Sequence, residues 1–141
     1  MDIFPTELGI LTCLGLLAAS LWIPYIAGAA SANLPADAPD GFTRIANPLL
    51  HKPWVQRAYR AHLNLLEQLV PFALLVLLVD RVNGFSALTY WTAIAFFWLR
   101  VAHAVGYITG WAGFPIRPII FTLGWVCCLL MGYAVFAARL A

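Results

Sequence analysis

Charged residues are scarce in this sequence. Only 10% of its 141 residues are Asp, Glu, Lys or Arg, whereas 63% are hydrophobic. Because a soluble domain carries about 25% charged residues, the composition predicts a membrane protein. The formal net charge of +2 is too small to indicate a nucleic-acid-binding surface, so nucleic acid is not an expected partner.

Cysteine is also rare. The three cysteines, Cys13, Cys127 and Cys128, all lie within apolar runs. Their spacing is typical of neither a disulfide framework nor a metal site, so we interpret them as small packing residues. The first apolar run is preceded by acidic residues instead of a basic segment, and we therefore expect no cleaved signal peptide.

Four apolar stretches are long enough to cross a membrane, since a helix needs about 20 apolar residues to span the hydrocarbon core. They cover about residues 8–30, 54–79, 86–110 and 115–138. A polar segment at about 31–53 is predicted to be a loop, because it contains four of the nine prolines. The other two connections are short, which makes successive helices antiparallel neighbours. The sequence thus predicts an all-α membrane protein, with residues 1–141 forming a single up-down bundle of four transmembrane helices. Pro24 and Pro71 are expected to bend the first two spans.

Basic residues predict the orientation of these spans. Five of them lie on or near the long loop and the third connection: Arg44, Lys52, Arg57, Arg60 and Arg117. The opposite side has only Arg81 and Arg139, together with several carboxylates. The excess of basic residues predicts an integral, multi-pass membrane protein whose long loop is cytoplasmic and whose two termini lie on the opposite side.

The second span begins with polar residues that share one helix face. At about 100° per residue, four of them fall within an arc of about 80°. These residues are Arg57, Arg60, Asn64 and Glu67. They form a polar stripe rather than a generally polar helix end. Because a single interfacial arginine often extends to lipid headgroups, that alternative stays open for Arg57.

The third span repeats the pattern with Arg100, His103 and Tyr107, which lie within about 60° of one another. Because the second and third spans are antiparallel, Glu67 and Arg100 both lie about 20 Å from the same membrane boundary. An unpaired charge at that depth costs at least about 2.5 kcal/mol. We therefore expect an ion pair between Glu67 and Arg100.

Positive charge exceeds negative charge around the polar stripe. A single carboxylate, Glu67, faces four arginines: Arg57, Arg60, Arg100 and Arg117. This excess predicts an anionic ligand with more than one carboxylate or phosphate group. The histidines do not predict a haem or metal site, because His51 lies in the loop and His62 lies off the stripe.

Three motifs occur in a fixed order along the chain. The second span contains R-A-H-L-N-L-L-E-Q-L-V-P-F, the third contains R-V-A-H-A-V-G-Y, and the fourth begins with P-I-R. In a four-helix chain of this length, the combined pattern resembles the MAPEG family, the membrane-associated proteins in eicosanoid and glutathione metabolism. The resemblance is nearest to the microsomal glutathione transferase and microsomal prostaglandin E synthase branch. It covers the chain from the second span onward.

The resemblance implies a homotrimer that binds glutathione, as a co-substrate, at each subunit interface near the cytoplasmic side. It implies that Arg60, Asn64 and Glu67 hold the peptide ends of glutathione, and that His103 and Tyr107 add contacts. Arg57 and Arg100 complete the expected binding set. Glu67 can contact the amino group of the ligand as well as Arg100, and the sequence does not divide these roles.

The resemblance also assigns the chemistry. Arg117 matches the arginine that holds the glutathione thiolate, and it is therefore the expected catalytic residue. A cation at a helix N-terminus lowers the pKa of a thiol and makes it nucleophilic. The implied enzyme is a glutathione transferase or peroxidase of the detoxification type. Its lipophilic small-molecule substrate would reach the site from the membrane lipid.

Two positions depart from the prostaglandin synthase pattern. After P-I-R that branch has serine and, three residues later, tyrosine, where this chain has Pro118 and Phe121. The sequence therefore favours general conjugation or peroxide reduction over prostaglandin isomerisation. Two other hypotheses stay open: a non-catalytic lipid-binding protein, like the activating protein of the leukotriene pathway, and a structural or transport subunit whose stripe only joins helices.

Overall fold

The computed structural model describes residues 4–31 and 51–140, which form five helices and no strand. The helices are α1 (Thr6–Ser20), α2 (Ile23–Ala30), α3 (Pro53–Arg81), α4 (Ala87–Thr109) and α5 (Ile116–Leu140). Four segments are long and apolar enough to cross a membrane: Thr6–Ala30, Pro53–Arg81, Ala87–Thr109 and Ile116–Leu140. The chain is therefore an all-α membrane protein with four spans, as predicted. The predicted loop at 31–53 falls almost wholly on residues 32–50, which lie outside the described residues.

The first span is interrupted. α1 ends at Ser20 and α2 begins at Ile23, so Leu21 and Trp22 separate the two helices. Pro24 explains the position of the break, because it has no N–H to bond to the Ser20 carbonyl and its ring crowds that carbonyl. A bend was predicted at both prolines, and at Pro24 the structure has an interruption of the helix. α3, in contrast, continues through Pro71 as one helix of 29 residues.

The α3–α4 pair lies at the centre of the bundle. α1 packs against both of these helices, α2 packs against α3, and α5 packs against both α3 and α4. The rings of Phe72 and Phe96 stack at the α3–α4 contact, with centroids 3.8 Å apart and planes within 3°. This arrangement confirms the predicted four-helix bundle. It also leaves the flank between α3 and α5 uncovered by the first span.

Short, well-defined connections set the relative heights of the last three helices. Asn83, at a left-handed φ of 51°, makes the turn after α3, and the Ser86–Thr89 capping box begins α4. The Thr89 hydroxyl also donates to the buried Glu7 carboxylate at 2.7 Å, which ties the start of α1 to the start of α4. At the other end, Gly110 terminates α4 at φ 82°, a conformation that favours glycine. The start of α5 is therefore held beside the end of α4.

Candidate functional site

Three adjoining cavities follow the flank between α3 and α5 that the first span does not cover, and together we call them the α3–α5 groove. The polar cavity, of about 770 Å³, lies beside the first turns of α3 and includes Arg57, Arg60, Asn64, Glu67, Tyr107 and Arg117 in its lining. The central cavity, of about 590 Å³, shares Arg57, Asn64, Tyr107 and Arg117 and adds Gly110, Phe114, Pro118, Phe121 and Thr122. The apolar cavity, of about 490 Å³, is lined by Glu67, Gln68, Pro71, Phe121, Thr122, Trp125 and Cys128.

All four residues of the predicted stripe on α3 line one wall of the polar cavity. Arg60 and Glu67 are exposed, whereas Arg57 and Asn64 are half-buried. The Arg57 Nε donates to the Ile108 carbonyl at 3.1 Å, which fixes this side chain against the end of α4. The Asn64 Nδ2 is buried and has no hydrogen-bond partner within the described part of the chain. The wall therefore offers cations and a free amide donor to a ligand.

Arg117 approaches the same cavity from α5. It is the second residue of that helix, and its backbone N–H donates to the Gly113 carbonyl at 3.1 Å. Its guanidinium carbon lies 4.3 Å from the centroid of the Tyr107 ring, a cation–π contact that fixes the direction of the side chain. Both side chains line the boundary between the polar and central cavities. A cation is thus held where an anionic group of a bound molecule could meet it.

Beside the groove lies a set of buried polar side chains, which we call the inner polar layer: Gln68 of α3, which also lines the apolar cavity, with Arg100 and His103 of α4. They are 6%, 1% and 2% exposed, respectively. The Gln68 Nε2 donates to the Phe121 carbonyl at 2.9 Å, and the Arg100 Nη2 donates to the Ile120 carbonyl at 3.0 Å. Two helices therefore bind successive carbonyls of α5. The Arg100 guanidinium also lies 5.4 Å from the Phe96 ring centroid and 5.8 Å from that of Phe121.

The predicted ion pair between Glu67 and Arg100 is wrong for this chain. Within residues 4–31 and 51–140, Glu67 is exposed in the groove, and the buried Arg100 bonds to a backbone carbonyl instead. The reason is the rotation of α3 about its axis. The buried apolar positions of α3 include Leu65, Leu69 and Phe72, and packing them inward directs Gln68 toward Arg100 and Glu67 away from it.

The eight predicted site residues divide between the groove and the inner polar layer. Six of the eight line the groove: Arg57, Arg60, Asn64, Glu67, Tyr107 and Arg117. Arg100 and His103 line none of the three cavities described above; the His103 ring centroid lies 5.8 Å from that of Tyr107 and 6.2 Å from that of Phe121. Within the described ranges, no three His, Cys, Asp or Glu side chains come together as metal ligands.

Gln68 was not among the site residues predicted from the sequence. The signal was present, because Gln68 follows Leu65 by three residues and precedes Phe72 by four, a spacing that places it on the apolar, inward-facing side of α3. A polar residue on that side must find a partner among the neighbouring helices. Gln68 finds one in the Phe121 carbonyl of α5.

The position of Glu67 leads to a testable result. Replacing it with glutamine (Glu67→Gln) is expected to change the free energy of unfolding by less than about 0.5 kcal/mol, because the carboxylate is exposed and unpaired within the described residues. Denaturant unfolding in detergent micelles measures this. Leu65→Ala, in the buried core of the same helix, is the positive control and should lose about 3 kcal/mol. A comparably large loss of unfolding free energy in Glu67→Gln would instead support an ion pair between Glu67 and Arg100.

Comparison with known proteins agrees with this architecture. A search of curated protein sequences gives no significant match. Residues 9–137, which include all four membrane spans in whole or nearly so, match the model of the MAPEG family. The chain, with its four-helix membrane bundle and its arginine-lined groove, therefore belongs to the MAPEG family.

Proposed function

We propose that this protein is a membrane-embedded glutathione transferase with glutathione peroxidase activity, nearest in kind to the microsomal glutathione transferases. The observation that carries the proposal is the charge of the polar cavity. Among the described residues, its charged lining consists of Arg57, Arg60 and Arg117 with the carboxylate of Glu67, and no ion pair joins any of these four. MAPEG membership supports a glutathione-related role at the level of the family.

Glutathione complements this cavity by charge. It has two carboxylates and one amino group, and the described residues of the cavity offer several cations and one carboxylate. Arg57 and Arg60 would bind the carboxylates, the unpartnered Asn64 amide would donate to a peptide carbonyl, and Glu67 would accept from the ammonium group. Arg100 and His103, which lie behind the lining, would support the site through Tyr107 and α5 rather than touch the ligand.

Arg117 would hold the sulfur as a thiolate. A nearby cation favours the ionised thiol, which is the nucleophilic form. In conjugation, the sulfur forms a bond to an electrophilic carbon and the leaving group departs with the electron pair. In peroxide reduction, the sulfur takes the terminal oxygen of the hydroperoxide and releases the alcohol; a second glutathione then gives the disulfide and water.

The electrophile would be lipophilic and would approach through the apolar cavity. That cavity adjoins the central one through Phe121 and Thr122 and is lined by Pro71 and Trp125. Pro118 and Phe121 line the central cavity, where the prostaglandin synthase pattern has a serine and a tyrosine. These two side chains supply no hydroxyl group to assist an isomerisation, which favours conjugation and peroxide reduction.

We also propose a homotrimer with the groove near the cytoplasmic face. A neighbouring subunit would cover the α3–α5 flank, which the first span leaves open, and the basic residues at the start of α3 and α5 support a cytoplasmic position. Light scattering of the detergent-solubilised protein tests the trimer, and a monomer or dimer would contradict it. Reaction of a membrane-impermeant thiol reagent with a single cysteine introduced at Lys52 tests the orientation.

The experiment that tests the function uses the wild-type protein in lipid nanodiscs. Binding of S-methylglutathione by calorimetry reports on the site without turnover. Conjugation of an aryl chloride and reduction of an organic hydroperoxide report on the chemistry. We expect binding and at least one of the two activities. A protein that binds neither glutathione nor its S-methyl form and has neither activity would contradict the proposal and favour the non-catalytic lipid-binding hypothesis.

A further inference from the structure

Two side chains of the inner polar layer bind adjacent carbonyls on one turn of α5. The Gln68 Nε2 donates to the Phe121 carbonyl at 2.9 Å, and the Arg100 Nη2 donates to the Ile120 carbonyl at 3.0 Å. Both carbonyls belong to a helix, and each has a second lone pair for an additional donor. Because the donors come from α3 and α4, they fix both the height and the rotation of α5 against the rest of the bundle.

The backbone of α5 is shaped for this contact. A Cβ atom at Gly124 would collide with the Gln68 Oε1 and with the Arg100 Nη2. Glycine at this position therefore lets both side chains approach α5 closely. Gln68 is 94% buried, since only 6% of its surface is exposed, and its Oε1 has no hydrogen-bond partner within the described residues. A buried acceptor without a partner costs free energy, so the stabilising contact of this amide is the hydrogen bond from its Nε2 to the Phe121 carbonyl.

Phe121 lies on the same part of α5 as Arg117, the proposed thiolate-binding residue. Phe121 follows Arg117 by four residues, so the two lie on one face of the helix. The Phe121 ring lies 6.2 Å from the His103 ring, and the His103 ring lies 5.8 Å from the Tyr107 ring, measured between centroids. Tyr107 in turn carries the Arg117 guanidinium at 4.3 Å. A rotation of α5 would move Arg117 relative to Tyr107 and to the stripe on α3.

We infer that Gln68 is a positioning residue: its hydrogen bond to the Phe121 carbonyl sets the rotation of α5 and so places the Arg117 guanidinium against the sulfur of bound glutathione. The inference rests on the proposed function of Arg117. Gln68 lines the apolar cavity but not the polar one, so it acts through α5 and not as a contact to the charged ends of glutathione.

The test replaces Gln68 with methionine (Gln68→Met), which keeps the length of the side chain and removes the donor. Leu69→Met is the matched control, because Leu69 is the adjacent buried residue and this exchange conserves volume. We expect Gln68→Met to lower kcat by about tenfold or more, since a misplacement of about 1 Å can cost up to a hundredfold. KM for glutathione should stay within about twofold of the wild type. The thiolate absorbance of bound glutathione should appear at higher pH than in the wild type.

A structural role alone would lower the melting temperature without separating kcat from KM or moving the thiolate titration. If Gln68→Met matches Leu69→Met in kcat and in the thiolate titration, the inference is wrong. Gln68→Glu provides a second test, because a carboxylate can accept a hydrogen bond from Arg100 but cannot donate one to the Phe121 carbonyl. Wild-type kcat in Gln68→Glu would also overturn the inference. Failure of the wild-type protein to bind glutathione would instead reject the proposed function, so the two failures are distinguishable.

Discussion

Replacing Arg117 with alanine (Arg117→Ala) is expected to lower kcat by about a hundredfold to a thousandfold, the usual effect of removing one group that stabilises a reacting anion. The Kd for glutathione should rise only about threefold or less, because Arg57 and Arg60 remain in the polar cavity to bind the carboxylates. The Arg117 guanidinium is directed by the Tyr107 ring rather than by a carboxylate. Its charge is therefore available to a thiolate.

Two comparison variants make this result specific. Arg139→Ala removes the same side chain from the other end of α5, where Arg139 is exposed in the last turn, and should leave both parameters unchanged. Arg60→Ala should raise the Kd for glutathione with a smaller effect on kcat, since Arg60 lines the polar cavity but not the central cavity, which Arg117 also lines. Steady-state kinetics and calorimetry in nanodiscs give both quantities.

The opposite pattern of kcat and Kd would contradict the assignment of Arg117 as the residue that stabilises the thiolate. If Arg117→Ala retained wild-type kcat and only weakened binding, Arg117 would be one more carboxylate ligand. The thiolate would then need another source of stabilisation. The pH dependence of thiolate absorbance in the bound complex separates these cases, because removal of the nearby cation should move its appearance to higher pH.

Replacing Gly124 with alanine (Gly124→Ala) is expected to lower the free energy of unfolding by about 3 kcal/mol, a large effect for a single methyl group. The added Cβ would collide with the Gln68 Oε1 and the Arg100 Nη2. Neither side chain can move away easily, because each is buried and bonded to α5. The collision would separate a buried charge from its acceptor, the Ile120 carbonyl.

Gly132 provides the matched control on the same helix. A Cβ there would meet only the Leu75 Cδ2, at 3.8 Å, which is an ordinary contact. Gly132→Ala should therefore be neutral or stabilising by up to about 1 kcal/mol, as expected from helix propensity. Denaturant unfolding of both variants in the same micelles measures the difference. Equal stability of the two variants would mean that Gln68 and Arg100 move aside for the added Cβ atom at little cost, contrary to the packing described for them.

Much of this architecture follows from the sequence alone. Apolar length predicts the four spans, and the break near Pro24 follows from the chemistry of proline. The stripe of Arg57, Arg60 and Asn64 also follows, because helical periodicity fixes which residues share a face whatever the helix packs against. These features depend on one segment at a time.

The hydrogen-bond partner of Arg100 could not be predicted from the sequence in the same way. Counting residues gives the depth of a side chain in the membrane, and Glu67 and Arg100 do share a depth, but depth does not fix the rotation of two helices about their axes. That rotation is set by the packing of residues such as Leu65 and Phe72, and one residue along a helix turns the side chain by about 100°. Gln68 and not Glu67 therefore faces Arg100. The role of Gly124 depends on three helices at once and is visible only in the assembled bundle.

The bond from Arg100 to the Ile120 carbonyl bears on how the chain enters the bilayer. The most apolar window of α4 has a mean hydropathy of only 1.2, against 1.8 to 2.2 for the other three spans. An arginine near the middle of a helix costs about 2.5–3.5 kcal/mol on scales of translocon-mediated insertion. The acceptor of Arg100 and one of the two rings over which it lies both belong to α5, which the ribosome synthesises later. Arg100 therefore gains this acceptor only once α5 is in place, so the contact that offsets its cost in the membrane depends on the last helix.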